Sequence, residues 1–377
     1  HLWHAIPNSH FERMYGEDLT PFVFESTPQV ADHIHWDQSK EAWQAVQKQT
    51  SQATEAAGGG HAHSGLAIPQ SPAWPKSLQG TVLAINFHGR RINCDSLEVD
   101  GAHLVAHHQA DLAGTTDPWF RGIDLVHADR QSLLILDWQD LGECHDNDGI
   151  HRTSGRIYRL APESAEDKRP DWSDLTASQW VEWLQSDDVF WQRRAREFLQ
   201  QQTFVERDEA SNQSFESVRK ALVLQLRNDL VNAEPLVRLR SLWALQATGA
   251  LTEGQLKELL KDDEPLLRRW AVRLLADGIV FSEGAGAPVM FENPSGLTLS
   301  TLPSSTVKVL LELAEIENDP QVLVYLASAM RRMTLEDRWT MGMRLAFHQE
   351  LQDDRVFPNL VWYGLEPAVV PHATSAG

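Results

Sequence analysis

The sequence predicts a mixed chain, an antiparallel β half followed by an α half. Three observations lead there. Short apolar or alternating runs, punctuated by Gly, Pro, Asn and Asp, fill residues 80–160. Beyond a polar stretch at 161–175, the apolar residues recur with a 3.6-residue period. Fourteen of the sixteen histidines lie at or before His151, so the halves also differ in chemistry. At 377 residues the chain exceeds one ordinary core, and the expected domains are 1–163 and 164–377.

The strands are expected in "GTVLAINFHG" (80–89), "HLVAHH" (103–108), "GIDLVHA" (122–128), "SLLILDW" (132–138) and "GRIYRL" (155–160). Strands this short and this dense suit a sandwich, a barrel or propeller blades.

The helices are expected in "ASQWVEWLQ", "FWQRRAREFLQQQ", "ESVRKALVLQLRNDL", "PLVRLRSLWALQATG" and "LLRRWAVRLLAD". Four segments repeat: 188–199, 234–245, 264–275 and 319–330 each open on an acidic residue, mostly followed by proline, and continue as an apolar helix. Proline suits the first helical turn, and an acidic group there suits the helix dipole. The irregular spacing predicts HEAT-like helical hairpins, with an irregular bundle as the alternative. Trp183, Trp191, Trp243 and Trp270 read as core. The pairs Arg193/Arg194 and Arg268/Arg269 read as solvated side chains, with a phosphate-binding ridge as the alternative.

The net charge is −20, shared equally by the two halves, which argues against a nucleic-acid backbone as partner. No run of 18 apolar residues is present. Two cysteines, Cys94 and Cys144, are too few for a disulfide framework, and without a CxxC neither a zinc ribbon nor covalent haem is encoded. The chain opens on His1 with no signal peptide, as expected of a processed chain or a fragment.

Candidate site residues precede the strongest strands. "ADHIHWD" carries His33 and His35, "AGGGHAHSG" carries His61 and His63, and "DPWFRGIDL" carries Trp119 and Arg121. In a propeller, the loop leading into each blade's innermost strand opens on the central channel. These residues would then converge within roughly 12 Å on one polar pocket. The competing reading makes Arg121 a structural ion pair with Asp117 or Asp124 and the histidines turn residues. A loop with Asp140, Asp146 and Asp148 suits a hard cation such as calcium, or plain turn chemistry. Four histidines (His33, His35, His61, His63) also admit a metal-dependent hydrolase.

The segments "HFERMYG", "ADHIHWD", "AGGGHAHSG", "NFHGRRIN", "DPWFRGIDL" and "GECHDNDGIHRTSGRIYRL" resemble the membrane-bound dehydrogenase family of planctomycetes and verrucomicrobia, over about residues 2–367. That family joins a propeller similar to soluble quinoprotein glucose/sorbosone dehydrogenases to HEAT-like repeats, commonly followed by a c-type haem domain. The resemblance implies a partial β-propeller of about three blades, then a HEAT/armadillo-like α-solenoid. It implies an extracytoplasmic (periplasmic or cell-surface) sugar or alcohol oxidoreductase using pyrroloquinoline quinone (PQQ) and calcium. A separate cytochrome or other acceptor is implied, with no haem in this chain. "FRGIDL" is similar to the relatives' "GRPVGV", which implies that Arg121 pairs with the quinone. "HSGL" before "WPKSLQGTVLAI" resembles a blade that would put His63 at the channel as general base; His61, His33, His35 and Trp119 would line the cofactor site.

The sequence departs from the family in three ways. The blades that hold the usual catalytic histidine would precede residue 1, no CxxCH follows the repeats, and Arg130 and Cys94 stand where relatives have glycine and often arginine. The alternative function is therefore a non-catalytic binding module, with a channel for a glycan or metal and a HEAT surface for a protein partner.

Overall fold

The computed structural model of the protein describes residues 2–12, 25–30, 63–87, 89–140, 153–162, 171–172, 175–205, 208–277 and 301–375. His33, His35, His61, Cys144, Asp146 and Asp148 lie outside the described residues.

The β half is two antiparallel meanders. The first runs β1 (His63–Ala67), β2 (Val82–Asn86), β3 (Arg91–Asp100) and β4 (His103–His108), with the short β5 (Ala113–Gly114) pairing with β3. The second runs β6 (Gly122–Asp129), β7 (Ser132–Asp137) and β8 (Arg156–Leu160). Turn chemistry sets the register. Asp100 pairs with His103 across a two-residue turn whose first member, Gly101, has φ +57°, as glycine permits. Asp129 closes the β6–β7 turn by accepting from the Gln131 amide at 2.9 Å and the Ser132 hydroxyl at 2.5 Å.

The two sheets meet through β1 and β6. A Cβ on Gly65, itself at φ +62°, would lie 2.4 Å from the Leu125 amide nitrogen. One on Gly122 would lie 2.7 Å from the Ile85 side chain. Those glycines let the backbones close over a core of Leu83, Ile85, Ile92, Cys94, Leu125 and Leu133. Burial pushes the Cys94 thiol up from its ordinary range, which keeps this free cysteine unreactive.

Strand β3 was missing from the sequence expectation. Side chains alternate between faces, so Ile92 and Cys94 enter the apolar core while Arg91, Asn93 and Asp95 turn the other way. All three are nevertheless buried. The apolar alternation that announces a strand was absent because polar residues occupy the second buried face.

The α half has ten helices among the described residues: α1 (Ala177–Leu184), α2 (Val189–Phe204), α3 (Glu209–Asn232), α4 (Pro235–Ala247), α5 (Glu253–Leu259), α6 (Pro265–Asp277), α7 (Ser304–Ala314), α8 (Pro320–Ala329), α9 (Leu335–Leu345) and α10 (Phe357–Ser375). None is long and apolar enough to cross a membrane. Successive helices pack in pairs, and α2, α4, α6, α8 and α10 touch one another in a row. The repeated acidic segments of the sequence are the starts of α2, α4, α6 and α8, four members of that row. Asp319, for example, caps α8 by accepting from the Val322 amide at 3.0 Å, with Pro320 next.

Two readings of the α half change. Trp191 is buried, but Trp183, Trp243 and Trp270 are only partly buried against the core. Trp243 and Trp270 meet edge to face at 5.1 Å, and Arg196 and Arg273 lie over their rings at 5.1 and 4.9 Å. Arg268 is not a solvated side chain. It binds Glu317, which is 4% exposed, through two nitrogens at 2.6 and 2.8 Å, tying α6 to the start of α8.

The halves are joined. Asp354, just ahead of α10, accepts from the Ala102 amide at 2.8 Å and contacts His103 Nδ1 at 3.0 Å. Ser71 donates to Asp188 at 2.8 Å. The amino-terminal segment follows the helices: Ile6 is buried in their core, and the Ser328 hydroxyl donates to the Pro7 carbonyl at 2.6 Å.

Candidate functional site

The antiparallel order brings four chain positions to one end of the two sheets: the starts of β1 and β6 and the ends of β2 and β7. His63 opens β1 and pairs with Asn86, so Phe87 follows beside it. Arg121 directly precedes β6, and Gly122 pairs with Asp137, so Trp138 follows beside it. The sheets touch there, because the Ser64 hydroxyl donates to the Gly122 carbonyl at 3.4 Å. His63 and Arg121 are the residues just before those contacting partners. The structure thus brings them to a common end although they are 58 apart in sequence.

His63 is held by a directed chain of hydrogen bonds. The Gly89 amide donates to Asn86 Oδ1 at 2.7 Å, and Asn86 Nδ2 donates to Asn93 Oδ1 at 3.4 Å. Asn93 Nδ2 then lies 3.3 Å from His63 Nε2. An amide N–H can only donate, so Nε2 accepts and the neutral ring carries its proton on Nδ1. The ring's one lone pair therefore faces Asn93. A general base needs that lone pair, so His63 can take a proton only when this long hydrogen bond gives way.

Arg121 is fixed by its own turn. Its Nη1 donates to the Pro118 and Phe120 carbonyls at 2.9 and 2.8 Å, and the guanidinium lies 5.8 Å from the Phe87 ring centre. Its backbone bridges the strands: the amide donates to Asp137 Oδ1 at 2.8 Å, and the carbonyl accepts from the Trp138 amide at 2.8 Å. Neither sequence-adjacent carboxylate is its ion-pair partner. Asp117 accepts from Arg156 at 2.8 Å and from the Trp119 amide at 2.9 Å, and Asp124 accepts from the Leu125 amide.

Trp119 and Asp140 belong to the same end, since the Asp140 amide donates to the Trp119 carbonyl at 2.9 Å. Asp140 is buried. Among the described residues, no cluster of three or more His, Cys, Asp or Glu could hold a metal ion.

Sequence reasoning missed Phe87 and Trp138. Phe87 lies under the guanidinium, and Trp138, whose amide donates to the Arg121 carbonyl, is 57% exposed. The aromatics lie inside the runs expected as strands, "GTVLAINFHG" and "SLLILDW", whereas each directly follows the last residue of the observed strand, Asn86 before Phe87 and Asp137 before Trp138. Each was read as strand continuation instead of as a strand end.

A histidine, a fixed arginine and aromatic faces can bind an anionic or planar ligand and stack a sugar ring. No family model matches the chain, and no curated protein is significantly similar to it.

Proposed function

We propose that the two meanders are consecutive blades of a propeller, that the helical pairs are HEAT-like repeats, and that the chain is, or is part of, a sugar or alcohol oxidoreductase of quinoprotein type. The observation that carries this reading is the convergence of His63 and Arg121 at one end of adjacent sheets. Blades whose first strands lie side by side put the residues at those strand starts around a common axis.

The residues suit the implied cofactor. Arg121 is a pre-positioned cation that would hold a quinone carboxylate, and Phe87 and Trp138 would face its planar rings. When bound, PQQ supplies the two-electron acceptor for a hydride leaving an alcohol carbon. His63 would serve as the general base toward the substrate hydroxyl. It would take the hydroxyl proton on Nε2 only once that atom is released from Asn93. Of the calcium residues expected from the sequence, Asp140 is the described one, and it suits the rim of this end. The resemblance supports an extracytoplasmic location and a separate electron acceptor, with the helical row as a surface for a protein partner.

Adding PQQ with calcium to the intact chain should give a bound-cofactor absorbance and dye reduction with sugars or alcohols. Arg121→Ala should abolish binding and leave the melting temperature within about 2 °C, because an arginine held by local carbonyls contributes little to packing. Absence of saturable quinone binding by the wild-type chain overturns the reading.

The engaged lone pair of His63 and the exposed Trp138 favour one other reading, a non-catalytic glycan-binding module. Oligosaccharide binding that survives without quinone, quenches Trp138 fluorescence and shows no turnover would select it.

A further inference from the structure

At the opposite end of β1 and β6, a cleft of about 160 Å³ opens between the β half and α2. Strand β6 separates it from Arg121 by roughly 25 Å, the rise of an eight-residue strand. Arg130 reaches it from the β6–β7 turn, and Arg193 and Arg194 reach it from α2, beside His127, Phe190 and Glu197.

Three arginines converge on this cleft, in a chain of net charge −20. Arg130 is paired with Asp188 at 3.4 Å, and Arg194 with Glu197 at 3.0 Å. Arg193, exposed on the same wall, makes no hydrogen bond or ion pair among the described residues. The start of the sixteen-residue α2 contributes its dipole, opposed by the Asp188 carboxylate at its N-cap. Its N-cap Asp188 makes no side-chain capping bond, because that carboxylate is turned to Ser71 and Arg130. His127 records these charges. Burial, together with Arg193 and Arg194, lowers its pKa, against the opposing pull of the Ile68 carbonyl and Asp129.

We propose that this cleft binds a small oxyanion, the head group of a phosphate- or carboxylate-bearing ligand, clamped by Arg193 and Arg194 from the helical half and Arg130 from the β half. Guanidinium groups suit such an anion through paired, charge-assisted hydrogen bonds. Contacts from both halves make the ligand a strap across their junction. Ile68, Val189 and Phe190 supply an apolar wall, which suits a ligand with a non-polar body behind the charged head.

The sign of the pH dependence follows from the facing charges. Arg130, Arg193 and Arg194 oppose protonation of His127, while Asp129, Asp188 and Glu197 favour it; a bound anion tips the balance toward the protonated ring. Binding of the anion should therefore be coupled to proton uptake by His127.

Calorimetric titration of the intact chain with inorganic phosphate, and separately with malonate, at constant ionic strength set by chloride, tests this. Saturable binding of either is expected, and the tighter arm identifies the head group. Arg193→Gln should weaken binding about tenfold, the loss of one charge-assisted contact, without changing the ligand-free melting temperature. Glu197→Gln should tighten binding by releasing Arg194, and Arg121→Ala should leave binding unchanged, which separates this site from the His63–Arg121 end. Equal binding by the wild type and Arg193→Gln overturns the proposal. So does a response to phosphate and malonate that chloride reproduces at equal ionic strength.

Discussion

In the helical half, one contiguous cluster of mostly aliphatic side chains links helix to helix. The β half instead buries Asn86, Asn93, Arg91 and Asp95 on one face of a sheet whose other face is apolar. Both halves bury polar groups, but to different ends. Arg268–Glu317 and Arg240, which donates to the Gln185 carbonyl at 2.8 Å, each fasten one helical segment to another. The buried amides of the β half are chained to His63 at the sheet's end. Burial of an amide is costly unless its hydrogen bonds are met, so a chain of them fixes orientation more than it adds stability. The helical half is thus built to hold its shape, and the β half to aim side chains.

The largest effect that would separate these roles is a cavity in the helical row. Leu326 of α8 is fully buried. Leu326→Ala should cost about 2–5 kcal/mol, the range for a buried leucine whose site cannot collapse. Urea unfolding followed by helical circular dichroism should show the loss. Ligand binding at the His63–Arg121 end should persist wherever the protein is still folded. If both fail in parallel at low urea, the halves unfold as one unit and the division of labour is wrong.

The reverse experiment strikes the junction of the sheets. Gly65→Ala places a methyl against the Leu125 backbone and forces an L-residue into left-handed φ. The conformational strain is about 1–2 kcal/mol, and displacing a strand backbone adds about 1–3 kcal/mol more. The expected result is loss of binding at the His63–Arg121 end with the helical transition retained. A variant that binds normally would mean that contact between β1 and β6 does not position the site.

These contrasts explain what the sequence made legible. The helical row was readable because each repeated segment combines a start signal, such as Asp319-Pro320, with an apolar period matched to one buried stripe. Strands β6 and β7 were readable for a similar reason: Leu125, Leu133 and Ile135 fall in apolar runs bounded by turn residues. Strand β3 was not, because Arg91, Asn93 and Asp95 are polar at buried positions, and pattern reading assigns polar residues to solvent. Convergence of His63 and Arg121 was legible only by positing equivalent strand starts, since no local signal links residues 58 apart. The Asn93 contact was invisible for the same reason, and it alters what His63 can do. The Arg193–Arg194 ridge was visible as a pattern, but which of its arginines find carboxylates only packing decides.

The smallest expected effect sharpens the boundary between the halves. Asp354 accepts four hydrogen bonds: from the Ala102 amide at 2.8 Å, His103 at 3.0 Å, and the Val356 and Phe357 amides at 2.8 and 2.9 Å. Its side chain is 4% exposed, and burial alone would raise its pKa. The donors outweigh burial, and the carboxyl is held below its ordinary range. A depressed carboxylate contributes stability that is fully present above its unfolded pKa, near 3.9, and that is lost as pH falls through the lower, folded value. Asp354→Asn replaces one accepting oxygen with an amide that meets donors, so it should cost about 2 kcal/mol at neutral pH. The cost should shrink below about pH 4, where the unfolded chain's carboxyl takes up a proton and the charge-dependent stabilisation of the native one is progressively lost. Urea midpoints of wild type and variant, measured from pH 7 to pH 3, should therefore converge on the acid side. Parallel curves across that range would show that the carboxylate's charge does not hold the Ala102–His103 turn to the start of α10, and that apolar contacts such as Ala102 in the helical core carry the joint instead.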